Sequence, residues 1–425
     1  NGSTCGILSA IATVAFRGSR LLIARNCHKS VYNALDILGI EPVYVYPELV
    51  EEGTISGELT ASAVDNILEH NPDIDGVVIV SPTYEGVVSD IEGISKVAHS
   101  YKVPLIVDAA HGAHFQYGTY FPESALRSGG DIVIESLHKT MPVLNQGAVI
   151  HISKDYLGGV DATELLKLSE KLEKMIHRFQ TTSPSYIVMA SMDYGISTGA
   201  KSLDEYNRYG RRLDTFRNKC NSFKYMHLLD KENTLAYDYD KGKLVFVLSR
   251  AIVSAYRGKN LLEELDKKYN QVLEMAGYNY VIAMTSVMDD DKAYDVLYNA
   301  LANIDKSLDI RMKDLPTKAS EGKTTSKAVI KATYPISNKA MDRYNAIYAD
   351  SNEMPIEEAA GYVSSEDVYI YPPGIPIIAA GEGYTKEVID LLVAYAEGGY
   401  SIRGIYTADD KYMVKVVITK KLISS

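Results

Sequence analysis

Four short stretches hold the residues able to do chemistry. In "DIVIESLHKT" an apolar run, Ile132 to Ile134, leads straight into Ser136, His138 and Lys139. A lysine at the end of a buried strand often carries its ammonium out to water along an apolar stem. Kept partly from water, its pKa falls and the amine attacks carbonyls to form a Schiff base. Asp108 closes "VPLIVD". A carboxylate there either caps the next turn or holds a proton on a heterocyclic nitrogen. His28 in "RNCHKS" follows the run "RLLIA" and offers either a hydrogen-bonded surface ring or a flat ring packed on a ligand. "NGSTCG" precedes the helix-like "ILSAIATVAF". Free N–H groups and the helix dipole make that an anion site suited to phosphate, and plain capping by Ser3 or Thr4 is the competing use. His111 and His114 in "HGAH" resemble a metal pair, but no cysteine or carboxylate supplies a third ligand at recognisable spacing, so no metal is expected.

Such residues need strand ends to hold them. From residue 1 to about 155 the β-branched runs "RLLIA", "EPVYVY", "DGVVIVSPT", "VPLIVDAA", "DIVIES" and "GAVIHI" alternate with amphipathic stretches such as "ASAVDNILEH" and "SDIEGISKVAHS". The runs are apolar enough for burial on both faces, and the alternation predicts an α/β fold with a largely parallel sheet. Ligands gather at the carboxyl ends of the strands in such sheets. Lys139 falls at one of them. Along the chain the order is an anion loop, a flat ring, a carboxylate and Ser-x-His-Lys. Pyridoxal phosphate needs that set: a cradle for its phosphate, a stacking group, an Asp for its ring nitrogen and a lysine for its aldehyde.

Farther on, "DATELLKLSEKLEKMIHRFQ" reads as a long helix, and Pro184 in "TTSPSYIVMASMDYGIST" is placed to open another. From about residue 235, "KLVFVLSR" and "VIAMTSVM" read as strands, "DKAYDVLYNALANID" as a helix and Lys306 to Lys331 as a solvated loop. With 425 residues the chain exceeds one ordinary core. Two domains are expected: residues 1–230, a cofactor-binding large domain, and 231–425, a smaller C-terminal α+β domain. The net charge of −11 opposes affinity for nucleic acid and for anionic membranes. Cys5, Cys27 and Cys220 have no metal-like spacing and are odd in number, which predicts neither a disulfide framework nor zinc and points to a reducing cytoplasm. No apolar run approaches the ~18 residues of a membrane span. "ILSAIATVAF" lacks the basic flank and cleavage signature of a signal peptide. The chain begins with Asn inside the anion loop, so an upstream segment is expected to be missing.

The sequence resembles the prokaryotic ornithine/lysine/arginine decarboxylases, which have the aspartate-aminotransferase-like fold. "NGSTCG", "RNCHKSV", "SPTYEG", "VDAAHGAHF", "ESLHKT", "QTTSPSY" and, far downstream, "YPPGIPIIAAGE" carry the resemblance, most densely over the first 190 residues. It implies a PLP-dependent transferase-like large domain and decarboxylation of lysine, arginine or ornithine to an amine and carbon dioxide. By matching positions it implies that Ser3 and Thr4 hold the cofactor phosphate with help from Ser136 and His138. It further implies that His28 stacks on the ring, Asp108 binds the ring nitrogen, Ala110 and His111 adjoin the cofactor and Lys139 bonds to its aldehyde. Lys139 or His138 would return a proton to the substrate's α-carbon. A homodimer or larger homo-oligomer is implied, with Thr182 and Ser183 near a neighbour's phosphate. Where close relatives commonly carry Glu, this chain has Ala109, and it has Asn145 and Gly147 flanking Gln146; these departures bear on substrate preference. Glu85 and Glu382 are candidates to meet the substrate's far cation, and a plain surface glutamate is the favoured reading of each taken alone.

Other readings fare less well. An aminotransferase of the same fold would clamp the α-carboxylate with an arginine, for which Arg403 in "SIRGIY" is the candidate. A non-catalytic family member is a further alternative. "GISTG" at 195–199 matches a serine-hydrolase elbow, but the segment before it reads as helix and only His227 follows. "SEGKTTS" echoes a phosphate loop without its first glycine, since Thr317 stands there.

Overall fold

A computed structural model describes residues 1–51, 55–313, 338–371 and 374–418. The alternating runs become a six-stranded sheet: β1 (Arg20–Ala24), β2 (Glu41–Val45), β3 (Ile74–Val80), β4 (Leu105–Asp108), β5 (Ile132–Ser136) and β6 (Ala148–Ile152), in the order β2-β1-β3-β4-β5-β6. The first five pair in parallel, and β6 returns antiparallel to β5. Burial follows position. Leu22, Val77, Leu105 and Val133 in the inner strands are 0% exposed, whereas every residue of the edge strand β6 is half-buried.

Helices α1 (Gly2–Val14), α2 (Lys29–Leu38), α3 (Ala61–His70) and α4 (Ile91–Ser100) cover the sheet. Segment "ILSAIATVAF" is apolar on all sides because α1 is enclosed, with Ile7, Ala10 and Ile11 in the core. Gly6 allows its close approach to the sheet: a Cβ there would sit 2.9 Å from Cγ2 of Ile134. Side-chain caps start the other helices where the backbone needs acceptors, with His28, Thr60 and Asp90 each taking a first-turn N–H. After β5 comes one helical turn, α5 (Leu137–Thr140). Then follow α6 (Ala162–Phe179), α7 (Tyr186–Lys201) and α8 (Leu203–Cys220). Ser185 rather than Pro184 caps α7, so the proline stands one residue outside the helix. Residues 195–199 lie within α7, which leaves no strand before them for a nucleophile elbow.

Strand order reverses direction between β1 and β3, and a crevice forms at such a switch point outside the carboxyl ends. Two further bodies border it. Strands Met226–Leu228, Lys243–Leu248, Tyr280–Met284 and Met275–Ala276 form an antiparallel sheet. It packs with α8 and the helix Asp291–Lys313 around Phe216, Phe246 and Leu301. That helix takes in Lys306 to Lys313, where the composition predicts a solvated loop; the remainder of that loop and "SEGKTTS" lie outside the described residues. Residues 338–418 build a third body around Ile356, Val368, Ile378, Leu392 and Val414.

Two buried arginines tie this third body to the first. Arg343 donates to Asp367 at 2.5 and 2.8 Å and to Asp36 of α2 at 2.5 and 2.8 Å. Arg25, just past β1, donates to the Pro376 and Ile377 carbonyls and to the Glu382 carboxylate. Among the described residues no helix is long and apolar enough to cross a membrane.

Candidate active site

A cavity of about 370 Å³ occupies the switch point. Its floor is the amino end of α1. Gly2 takes φ +72° there and donates its N–H to the Gln146 carbonyl at 3.1 Å, and Gly2, Ser3 and Thr4 line the cavity. Asn1 holds the N-cap position without a side-chain bond, and Ser3 and Thr4 stand inside the first turn. Capping by either is therefore not their use. Both line the cavity. The Ser136 hydroxyl ends β5 with no partner among the described residues, although the residue is 0% exposed. A buried hydroxyl without a partner costs about 1–3 kcal/mol, so it marks a place where a ligand oxygen is due.

Asp108 ends β4 and lines the same cavity, with its Oδ1 accepting the Ala110 N–H at 3.1 Å. Burial pushes its carboxyl up, against the pull of the Lys139 ammonium. His28 lines the cavity too. Its Nδ1 accepts the Ser30 N–H at 3.2 Å, which leaves the proton on Nε2 and the ring fixed as the cap of α2. Burial, then the charges of Lys139 and Lys29, lower its pKa to about 4, so the ring is neutral near pH 7. Gly374, at φ +85°, passes over it: a Cβ there would lie 3.6 Å from His28 Nε2.

Lys139 projects from α5 into the cavity, its Nζ 3.0 Å from Nε2 of His111. Burial lowers its pKa, opposed by Asp108 and Glu274. The short helix explains the lysine that ends an apolar strand: one turn swings it off the strand line into the crevice. His138 also lines the cavity, with Nδ1 2.9 Å from the Gly147 carbonyl, which leaves Nε2 as the free acceptor.

The residues named from sequence thus meet at one place. Ser3, Thr4, His28, Asp108, Ala110, His111, His138 and Lys139 all line the cavity, and Ser136 lies buried beside it at the start of α5. They suit pyridoxal phosphate on chemical grounds, since one cavity is lined by the amino end of a helix, hydroxyl donors, an acid, an amine and a neutral ring. Glu85 lines the cavity, taking the Tyr280 hydroxyl at 3.0 Å on Oε1 while its buried Oε2 has no partner among the described residues. Glu382 does not line it. Its carboxylate is consumed by Arg25 at 3.0 Å and the Ala379 N–H at 2.8 Å, both ion-pair members being 3% exposed, which corrects its reading as a substrate contact. Arg403 is exposed on an outer strand and does not line the cavity. His227 pairs with Glu51 at the surface.

Sequence reasoning missed Glu274 and Lys243. Glu274 enters from the second sheet, lines the cavity and accepts the Tyr84 hydroxyl at 2.5 Å. Lys243 is 1% exposed, with Nζ 2.8 Å from Nδ1 of His111. Nothing local announces either. Their roles depend on a sheet folded from residues more than 100 positions away from His111.

Residues 1–233 match the family model of the Orn/Lys/Arg decarboxylase major domain, and residues 323–417 match that of the Orn/Lys/Arg decarboxylase C-terminal domain. Among curated relatives, protein YaaO of Bacillus subtilis (strain 168) is 30% identical over 423 residues, covering 99% of this chain and 82% of its own. The arginine decarboxylase of the same organism is 27% identical over 430 residues, again covering 99% of this chain and 82% of its own. Among solved structures, the Francisella novicida lysine decarboxylase LdcF superposes with a TM-score of 0.77 at 17% identity, covering 98% of this chain and 69% of that one.

Proposed function

The chain belongs to the Orn/Lys/Arg decarboxylase family and has its aminotransferase-like α/β fold, and from that premise we propose that it decarboxylates a basic amino acid with pyridoxal phosphate as cofactor. The observation that carries the reading is Lys139, a half-buried amine that lines one cavity together with Asp108 and the amino end of α1. When bound, the cofactor supplies an electron sink for the pair left behind by departing carbon dioxide.

The chain's own residues supply the rest. Ser3 and Thr4, with the first-turn N–H groups, would hold the phosphate, Ser136 adding a donor, while His138 presents an acceptor nitrogen and would not hold it. His28, neutral and locked by its cap bond, would lie against the ring. Asp108 would hold a proton on the ring nitrogen, since a buried carboxylate gains most when it is paired with a cation. The Lys139 amine would take the aldehyde and later hand a proton to the substrate's α-carbon.

A substrate with a distal cation needs an acid at the far wall. Glu274 and Glu85 both line the cavity, and they are the carboxylates we assign to that cation; which of lysine, arginine or ornithine suits them best is decided by their distance from Lys139. Beside the cavity lies a groove that shares Asn1, Gly2 and Gln146 with it and continues along α7, where Ile187 and Met189 are exposed. A second copy of the chain is its fitting occupant, because covering that groove also closes the phosphate end from water. Sedimentation of the purified protein should therefore give a dimer or larger, and a monomer would refute this part.

Carbon dioxide release from arginine, lysine and ornithine, measured with added pyridoxal phosphate, tests the main proposal. Activity on one of the three, together with a visible absorbance band that Lys139→Ala abolishes, is the expected result. Keto acid in place of carbon dioxide would transfer the chain to the aminotransferases. A protein that stays colourless and inert would sink the reading.

A further inference from the structure

Tyr84 and Glu85, adjacent in the loop after β3, each bond across to the second sheet, and the two bonds run in opposite directions. The Tyr84 hydroxyl donates to Glu274 Oε1 at 2.5 Å, and the Tyr280 hydroxyl donates to Glu85 Oε1 at 3.0 Å. Tyr84 and both carboxylates line the cavity. Each carboxylate thus keeps one unclaimed oxygen. Glu85 Oε2 is buried with no partner among the described residues, and the Glu274 carboxylate makes no second bond among them. Nor does a lysine or arginine of the described residues bond to either acid.

The two acids differ in what holds them still. Glu85 is 4% exposed and Tyr280 5%, so enclosure fixes that pair, and the Tyr239 hydroxyl adds a bond to the Glu85 carbonyl at 2.9 Å. Glu274 is exposed, in the segment that leads into the edge strand Met275–Ala276. A long exposed side chain keeps its rotamers open, and a ligand that needs one of them bears the entropy of freezing it. Without a partner the Glu274 carboxylate would turn to water for part of the time. A phenol bonded to a carboxylate is charge-assisted, and stronger than a neutral pair. Tyr84 can supply that bond from a fixed place, because the His111 ring stands edge-on to its own ring at 4.8 Å and Lys243 Nζ lies 6.0 Å from its centroid.

We infer that Tyr84 is a positioning residue that sets substrate specificity: its hydroxyl holds Glu274 in the orientation that offers the second carboxylate oxygen to the distal cation of a basic amino acid. The inference rests on the reading of Glu274 as the acid that meets that cation. Tyr84 touches no reacting atom in this role. A straight-chain amino acid without a distal charge, such as norleucine, makes no use of Glu274 and gains nothing from Tyr84.

Steady-state carbon dioxide release by the holoenzyme, compared among the wild type, Tyr84→Phe, Glu274→Ala and the double variant, tests it. Tyr84→Phe keeps the ring against His111 and removes only the hydroxyl. It should raise KM for the preferred basic amino acid about five- to tenfold, while kcat and the inhibition constant of norleucine stay within about twofold of the wild type. The double variant should match Glu274→Ala within about twofold, because the phenol then has nothing to hold. Effects that multiply in the double variant, or an equal loss of norleucine binding, would overturn the inference. A wild type that releases no carbon dioxide defeats the decarboxylase reading by itself. Titration calorimetry of the same four proteins, free of cofactor, with agmatine and cadaverine then supplies the cycle: coupled losses support the inference, and additive losses or no binding by the wild type refute it.

Discussion

Glu382→Gln separates a structural acid from a substrate-binding one. In the native chain Arg25 donates to Glu382 at 3.0 Å, the Tyr32 hydroxyl at 3.1 Å, the Pro376 carbonyl at 2.7 Å and the Ile377 carbonyl at 3.3 Å. Both charged partners are 3% exposed, so water does not screen them. Breaking a buried pair by removing one charge costs about 3–5 kcal/mol, because the other charge stays buried without its counter-ion. The substituted amide would keep a neutral acceptor, and Arg25 would keep three others and the Tyr44 ring at 5.4 Å. The lower end, about 3 kcal/mol, is the expected loss, which amounts to roughly a hundredfold in a local opening equilibrium. Native-state hydrogen exchange of the segment from Ile375 to Glu382 should speed up by about that factor, while the relative kcat/KM values for lysine, arginine and ornithine stay as in the wild type. The double variant Arg25→Met/Glu382→Leu should recover much of the protection, as a neutral packed pair often does. An altered substrate ranking with unchanged exchange would refute the reasoning and return Glu382 to the substrate.

Glu274→Gln should raise KM for a basic amino acid by ten- to a hundredfold with a smaller change in kcat, since the carboxylate faces the cavity; steady-state kinetics with carbon dioxide detection would show it. His28 adds an acid sensitivity. Its pKa is about 4 folded and 6.5 unfolded, so below pH 6.5 the unfolded chain binds a proton that the native one refuses. The stabilisation is full above pH 6.5 and lost as pH falls toward 4, at most about 3 kcal/mol, and His28→Asn should flatten that part of the melting-temperature profile. Gly195→Ala places a methyl against Val143 and the Pro142 carbonyl. Despite a gain of about 1 kcal/mol in helix propensity, it should destabilise the protein by about 1–3 kcal/mol from overpacking, read by denaturant titration.

Much of this protein is local in origin. The runs that became β1 and β3 to β5 are long enough and apolar enough to be buried strands in any context, and their alternation with amphipathic helices leaves few arrangements besides a parallel sheet. Residues that follow those strands must then converge at the carboxyl edge, so His28, Asp108 and Lys139 could be grouped from their places in the chain alone. Chain order carries no such information about which acid faces a cavity. Glu382 and Glu274 look alike in sequence; a buried arginine 357 positions away claims one, and a strand edge of the second sheet turns the other inward. Lys243 looks like the first residue of an ordinary strand, and only the docking of its turn onto "HGAH" brings its Nζ to 2.8 Å from Nδ1 of His111. Apolar periodicity is written residue by residue because burial is a property of each side chain, whereas the pairing of charges depends on distances of a few ångströms between segments that meet only once the chain has folded.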